Sequence, residues 1–96
     1  MIVKDLTSYS QRDKNREPSI LRVESSSHNF NYNVHRHIYY PGTWLLSISA
    51  FNVECEDLKT NDLDKALKKA RERVSELIER RIIAYRDIQK ELEAEP

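Results

Sequence analysis

Two kinds of hydrophobic periodicity divide the chain. Between residues 20 and 55 apolar and polar residues tend to alternate, which is typical of strands with one buried and one solvated face. From residue 61 to 93 glycine and proline are absent, and apolar residues recur every three or four positions. The pattern predicts an α+β fold in one domain, residues 1–96, with an antiparallel β-meander of two to four strands packed on one long C-terminal amphipathic helix.

The clearest alternation runs from Phe30 to Tyr40. One parity is predicted to face the core: Phe30, Tyr32, Val34, Ile38 and Tyr40. The other parity is predicted to face outward: Asn29, Asn31, Asn33, His35, His37 and Tyr39. A shorter strand is expected at residues 20–24, and residues 1–19 are expected to form an N-terminal arm or an edge strand.

Pro41-Gly42 is the strongest turn signal, because proline presets φ and the single glycine can take the positive φ of a type II turn. Residues 43–55 are then predicted to form one central strand with apolar residues on both faces. On this interpretation one face carries Trp44, Leu46, Ile48 and Ala50, and the other carries Leu45, Phe51 and Val53.

The helix is too long for its own sheet. Thirty-odd residues at about 1.5 Å each span ~48 Å, whereas a globule of this length is only ~32 Å across. Either the helix breaks near Arg80-Arg81, or its C-terminal half protrudes and pairs with a second copy, in an antiparallel or crossed arrangement. The predicted homodimer interface comprises Ile78, Arg81, Ile82, Tyr85, Ile88 and Leu92. Arg81 interrupts this apolar stripe, and is expected either to reach a carboxylate across the interface or to mark where the helix leaves the sheet.

Composition narrows the choice of function. Sixteen basic and sixteen acidic residues cancel, so no overall field draws the chain to nucleic acid or to an anionic membrane. The single cysteine, Cys55, cannot form an internal disulfide, and no signal peptide or membrane-spanning run is seen. These features favour a cytoplasmic protein that does not engage a membrane.

No motif indicates an enzyme. One glycine excludes a P-loop or a dinucleotide fingerprint, and Cys55 has acidic neighbours instead of the basic ones that activate a thiol. His35 and His37 leave the same strand face at a spacing that zinc can use, but the sequence offers no well-spaced third ligand. We therefore expect no enzymatic activity, no metal and no cofactor.

The remaining candidates are binding surfaces. The polar strand face predicts a protein-binding surface formed by Asn31, Asn33, His35, His37 and Tyr39. The alternative is nucleic-acid binding through that same face, with Arg36 and the lysine-rich helix start, Lys65, Lys68 and Lys69. The sequence thus predicts a small protein-binding module, of the kind that phages and mobile elements use to inhibit a host complex, with a partner that the residues do not identify.

Overall fold

A computed structural model describes residues 1–7, 18–37, 39 and 42–95, and these form a five-stranded antiparallel sheet followed by one long helix. The strands are β1 (Ile2–Asp5), β2 (Ile20–Glu24), β3 (Asn31–His35), β4 (Leu45–Ile48) and β5 (Val53–Asp57), and the helix is α1 (Leu63–Ala94). Each strand pairs with its neighbours in chain order. The α+β meander is confirmed, with five strands where two to four were predicted.

The core lies between one face of the sheet and the first half of α1. The alternation in β2 and β3 sends every second side chain toward the helix, so that Val23 lies beside Tyr32 and both are buried. The buried residues of α1 are small, which allows the helix backbone to approach the sheet closely, and Leu63, Leu67 and Leu77 pack against the cluster while partly exposed. The buried cluster consists of Val23, Tyr32, Val34, Trp44, Leu46, Ile48, Leu58, Ala66, Ala70 and Val74.

The prediction of one strand over residues 43–55 is wrong. The chain turns back after β4 through a 3₁₀ turn at Ser49–Phe51, and Asn52 closes it with a left-handed φ of 55°. No glycine or proline marks this reversal, and asparagine adopts the left-handed conformation more readily than most residues. Ala50 is consequently exposed, while Phe51 and Val53 pack against the core that they were predicted to oppose.

A β-bulge shapes β5. Leu46 pairs with Glu56 and Ile48 pairs with Val53, so β5 carries one residue more than β4 over this interval. Cys55 lies in the bulge with φ 51°, and its backbone amide donates to Ser47 Oγ instead of to the ladder. The bulge leaves the cysteine side chain exposed.

The N-terminal and turn predictions are partly tested. Ile2–Asp5 pairs with β2 at the sheet edge, as the edge-strand interpretation required. Gly42 has φ +86°, which confirms the expected positive φ. The remainder of the expected arm, residues 8–17, lies outside the described residues, as do Ile38, Tyr40 and Pro41. The alternation predicted to continue to Tyr40 ends as a strand at His35.

Helix α1 begins where the sequence indicated. Asp62 is the N-cap, and its carboxylate accepts from the Asp64 amide at 3.2 Å. The helix is continuous through Arg80-Arg81, and the molecule measures 66 × 26 × 20 Å along its principal axes. Since the buried helix residues end at Val74, the prediction of a protruding C-terminal half is confirmed.

Candidate protein-interaction surfaces

The face of the sheet turned away from α1 is largely polar. The cross-strand register places Asn33 between Arg22 and Ser47, and His35 beside Leu45, so these side chains share one face. We call Arg22, Asn31, Asn33, His35 and Ser47 the polar sheet face. Its side chains are half-buried, and Leu45 is the apolar residue buried among them.

Side-chain hydrogen bonds hold this face together. Arg22 Nε donates to Asn33 Oδ1 at 3.3 Å, and His35 Nε2 lies 2.7 Å from Ser47 Oγ. Ser47 Oγ also accepts the Cys55 amide at 3.0 Å, which ties the bulge of β5 to the same network. A surface fixed in this way loses little conformational entropy when a partner docks on it.

Burial lowers the pKa of His35 from its ordinary value of 6.5, and the neighbouring His37 acts in the same direction. A neutral imidazole suits the geometry, because the Ser47 hydroxyl can then donate to Nε2 while it accepts from Cys55. The structure therefore gives His35 a positioning role within the sheet.

His37 and Tyr39, predicted to continue this face, lie beyond the end of β3. Their rings stack at a centroid distance of 5.1 Å, and the Tyr39 amide donates to His37 Nδ1 at 3.2 Å. Tyr39 is 77% exposed, the largest fraction among the large apolar and aromatic residues described. The five predicted partner-binding residues thus divide into a half-buried strand group and this exposed aromatic pair.

A corner that the sequence did not reveal lies where β3, β4 and the start of α1 meet. The Arg36 guanidinium stacks over the Trp44 ring at 4.5 Å and donates to Asn61 Oδ1 at 2.7 Å. The Trp44 indole N–H donates to the Asn61 carbonyl at 3.1 Å. No local pattern relates these residues, since 25 positions separate Arg36 from Asn61.

The basic residues of the nucleic-acid alternative lie in two places. Arg36 is held by Trp44 and Asn61. Lys65, Lys68 and Lys69 are exposed at neighbouring positions (i, i+3 and i+4) on one side of α1, and Lys69 Nζ donates to the Leu58 carbonyl at 3.2 Å. The nucleic-acid alternative stays a prediction.

A groove of about 500 Å³ lies between the edge of the sheet and the first half of α1. Val3, Val23 and Leu67 contribute apolar lining, and Lys68 and Arg71 supply cations. It exists because α1 covers the middle of the sheet more completely than the strand β1, whose residues are all exposed. The sequence signal for it was weak, since it depends on where the helix crosses the sheet.

A row of exposed apolar side chains lies on the protruding half of α1. We call Ile78, Ile82, Tyr85, Ile88 and Leu92 the apolar stripe; all five are exposed, Leu92 to 66%. Arg81, predicted to belong to the same interface, stacks on Phe51 of its own chain at 4.2 Å from the ring centroid. The sequence did not reveal this contact, because the position of Phe51 depends on the reversal after β4. The place of Arg81 in the interface stays a prediction.

Among the residues that the structure describes, no group of three or more His, Cys, Asp or Glu side chains is arranged to hold a metal ion. In the same part of the chain, no helix combines the length and the apolar character that a membrane span requires.

Comparison of the chain with protein-family models, with curated proteins and with solved structures gives no significant match.

Proposed function

We propose that this chain is a non-enzymatic protein-binding module that pairs with a second copy through the apolar stripe and presents its polar sheet face and aromatic pair to a different protein. The observation that carries the proposal is the stripe. Its five large side chains line about four turns of a helix that has already left its own sheet. Monomeric proteins seldom leave so continuous an apolar surface in water.

The chemistry of the polar sheet face and the aromatic pair suits the binding of a second protein. Tyr39 and His37 offer aromatic area with few rotatable bonds, and the adjoining polar sheet face offers amide and imidazole groups held in place by cross-strand hydrogen bonds. Protein interfaces are enriched in tyrosine and depleted in lysine and glutamate. A phage or mobile-element inhibitor of a host complex would need such surfaces and no catalytic groups.

Capture of partners by an immobilised chain tests the second surface. Tyr39→Ala with His37→Ala should remove a captured protein, because both rings are exposed and contribute nothing to the buried core. Lys65→Glu with Lys68→Glu is the matched control, since these side chains are also exposed. Lys69 is left unchanged because it bonds to Leu58.

The same capture experiment also distinguishes protein binding from the nucleic-acid alternative. If the Lys65→Glu, Lys68→Glu variant no longer captures the partner while the Tyr39→Ala, His37→Ala variant still does, the proposed binding surface is wrong. Co-purified nucleic acid, seen as a raised 260/280 absorbance ratio that falls steeply with added salt, would then favour nucleic acid as the ligand.

A further inference from the structure

The charges on the protruding half of α1 are polarised along its length. Residues 78–86, nearest the sheet, carry three arginines and one glutamate, a net charge of +2. Residues 87–95, toward the tip, carry one lysine, one aspartate and three glutamates, a net charge of −3. From this polarity we propose that the partner on the apolar stripe is a second copy of this chain lying antiparallel.

Orientation follows from which charges are brought together. In an antiparallel pair the acidic tip of each helix lies alongside the basic segment of the other, and both contacts are attractive. In a parallel pair the two basic segments face each other, as do the two acidic tips. A second copy supplies this complementarity with no other partner needed.

The acidic tip is unfavourable within a single chain. The carboxyl end of a helix carries a partial negative charge, and α1 has no basic residue in its last turn. Among the described residues, no ion pair within the chain involves Glu91, Glu93 or Glu95. An external cation would relieve this repulsion, and Arg86 of an antiparallel neighbour is placed to provide one.

The sheet limits where the second helix can lie. The apolar stripe continues on the side of α1 that carries Ala70 and Val74 against the sheet, and Arg81 on Phe51 marks where the sheet ends. A second helix must therefore occupy the space beyond that end, alongside residues 82–94. Arg86 is the arginine of the basic segment that lies within this overlap.

The inference rests on the proposed pairing and adds a consequence to it. Antiparallel helices place the two sheets at opposite ends of the assembly, so that each polar sheet face and its aromatic pair remain available. One assembly can then engage two partner molecules, and avidity can exceed the affinity of either face alone.

Charge exchange tests the orientation. Sedimentation equilibrium at low salt should show dimers for the unmodified chain, and a dissociation constant about tenfold higher for either Arg86→Glu or Glu91→Lys with Glu93→Lys. All three changes together reverse the polarity and should restore dimerisation. Arg80 and Arg81 are left unchanged because Arg80 pairs with Glu76 and Arg81 contacts Phe51 within the chain.

Salt supplies a second readout, and Lys65→Glu with Lys68→Glu supplies the control. Added salt should weaken the unmodified dimer and strengthen the two repulsive variants, while the control should behave as the unmodified chain. A monomeric unmodified chain would overturn the proposed pairing and this inference with it. A dimeric unmodified chain whose Arg86→Glu variant and Glu91→Lys, Glu93→Lys variant dimerise as tightly as it does would overturn the antiparallel orientation alone, so the two failures are distinguishable.

Discussion

The Arg81 guanidinium lies 4.2 Å from the centroid of the Phe51 ring, and its Nη2 donates to the Phe51 carbonyl at 3.4 Å. Phe51 in turn contacts Phe30, with ring centroids 5.5 Å apart. Thirty positions separate Arg81 from Phe51, so this stack joins the middle of α1 to the turn between β4 and β5. Among the hydrogen bonds, ion pairs and ring contacts of the described residues, it is the one nearest the C-terminus that joins α1 to the rest of the fold.

A double-mutant cycle should measure that contact. Arg81→Met keeps most of the aliphatic stem but removes the charge, and Phe51→Leu keeps apolar volume but removes the π face. We expect a coupling free energy of about 0.5–1 kcal/mol from urea unfolding, as for a partly exposed cation–π pair. Additive effects of the two substitutions would contradict an energetic role for the stack.

The effect of a substitution at Gly42 on stability should depend only on how readily the new residue adopts a positive φ. Its φ is +86°, and a Cβ added there would meet no atom within 4 Å. Gly42→Val should therefore lower the free energy of unfolding by about 1 kcal/mol or more, through strain in a β-branched residue. Gly42→Asn, which accepts left-handed backbone more easily, should cost less. Equal melting temperatures for the two variants would argue against a strained position.

Cys55 allows the opposite substitution, in which a residue with a positive φ is replaced by glycine. It holds a left-handed φ of 51° in the bulge of β5 with its side chain exposed, so the present residue is already unfavourable there. Cys55→Gly should leave the free energy of unfolding unchanged or raise it by up to about 1 kcal/mol, whereas Cys55→Val should lower it. A glycine variant that is markedly less stable would show that the thiol contributes more than its exposure suggests.

His35 predicts a pH dependence of stability. Because burial lowers its pKa in the folded chain below the ordinary value of 6.5, the unfolded chain takes up a proton first as the pH falls. The contribution of the neutral His35 imidazole to the free energy of unfolding is complete above pH 6.5. It is lost progressively as the pH drops below that value toward the pKa of His35 in the folded chain. Urea unfolding at a series of pH values should show this decline, and His35→Gln should lack it. Identical pH profiles for the two proteins would count against the buried, neutral imidazole.

The sequence predicted the elements that have a clear local period. Tyr32 and Val34 lie on the buried face of β3 as their alternation required, and α1 runs through the segment that lacks glycine and proline. The overlong helix also followed from counting residues. These features depend on neighbours within a few positions, which a sequence shows directly.

The features that failed depend on distant residues. The reversal after β4 uses Asn52 instead of a glycine or proline, so no turn signal distinguished it from a continuous strand. Once Phe51 is carried to the helix side of the sheet, Arg81 acquires a partner thirty positions away. The contact of Arg36 with Trp44 and Asn61 has the same origin.

Sedimentation equilibrium on two neighbouring substitutions tests the central claim, that the protruding helix binds a second copy through the apolar stripe. Ile82 belongs to the stripe, whereas Ile83 points about 100° away from it, and the two are exposed to 45% and 56%. Ile82→Glu and Ile83→Glu therefore introduce the same charge at similarly exposed helix positions. Helical circular dichroism should confirm that both variants fold.

At tens of micromolar the unmodified chain and Ile83→Glu should sediment with twice the 11.4 kDa mass of one chain, and Ile82→Glu should sediment as a single chain. That difference follows because only the stripe residue would be buried between the two helices. A single-chain mass for the unmodified protein, or equal dimerisation of the two variants, would contradict the account.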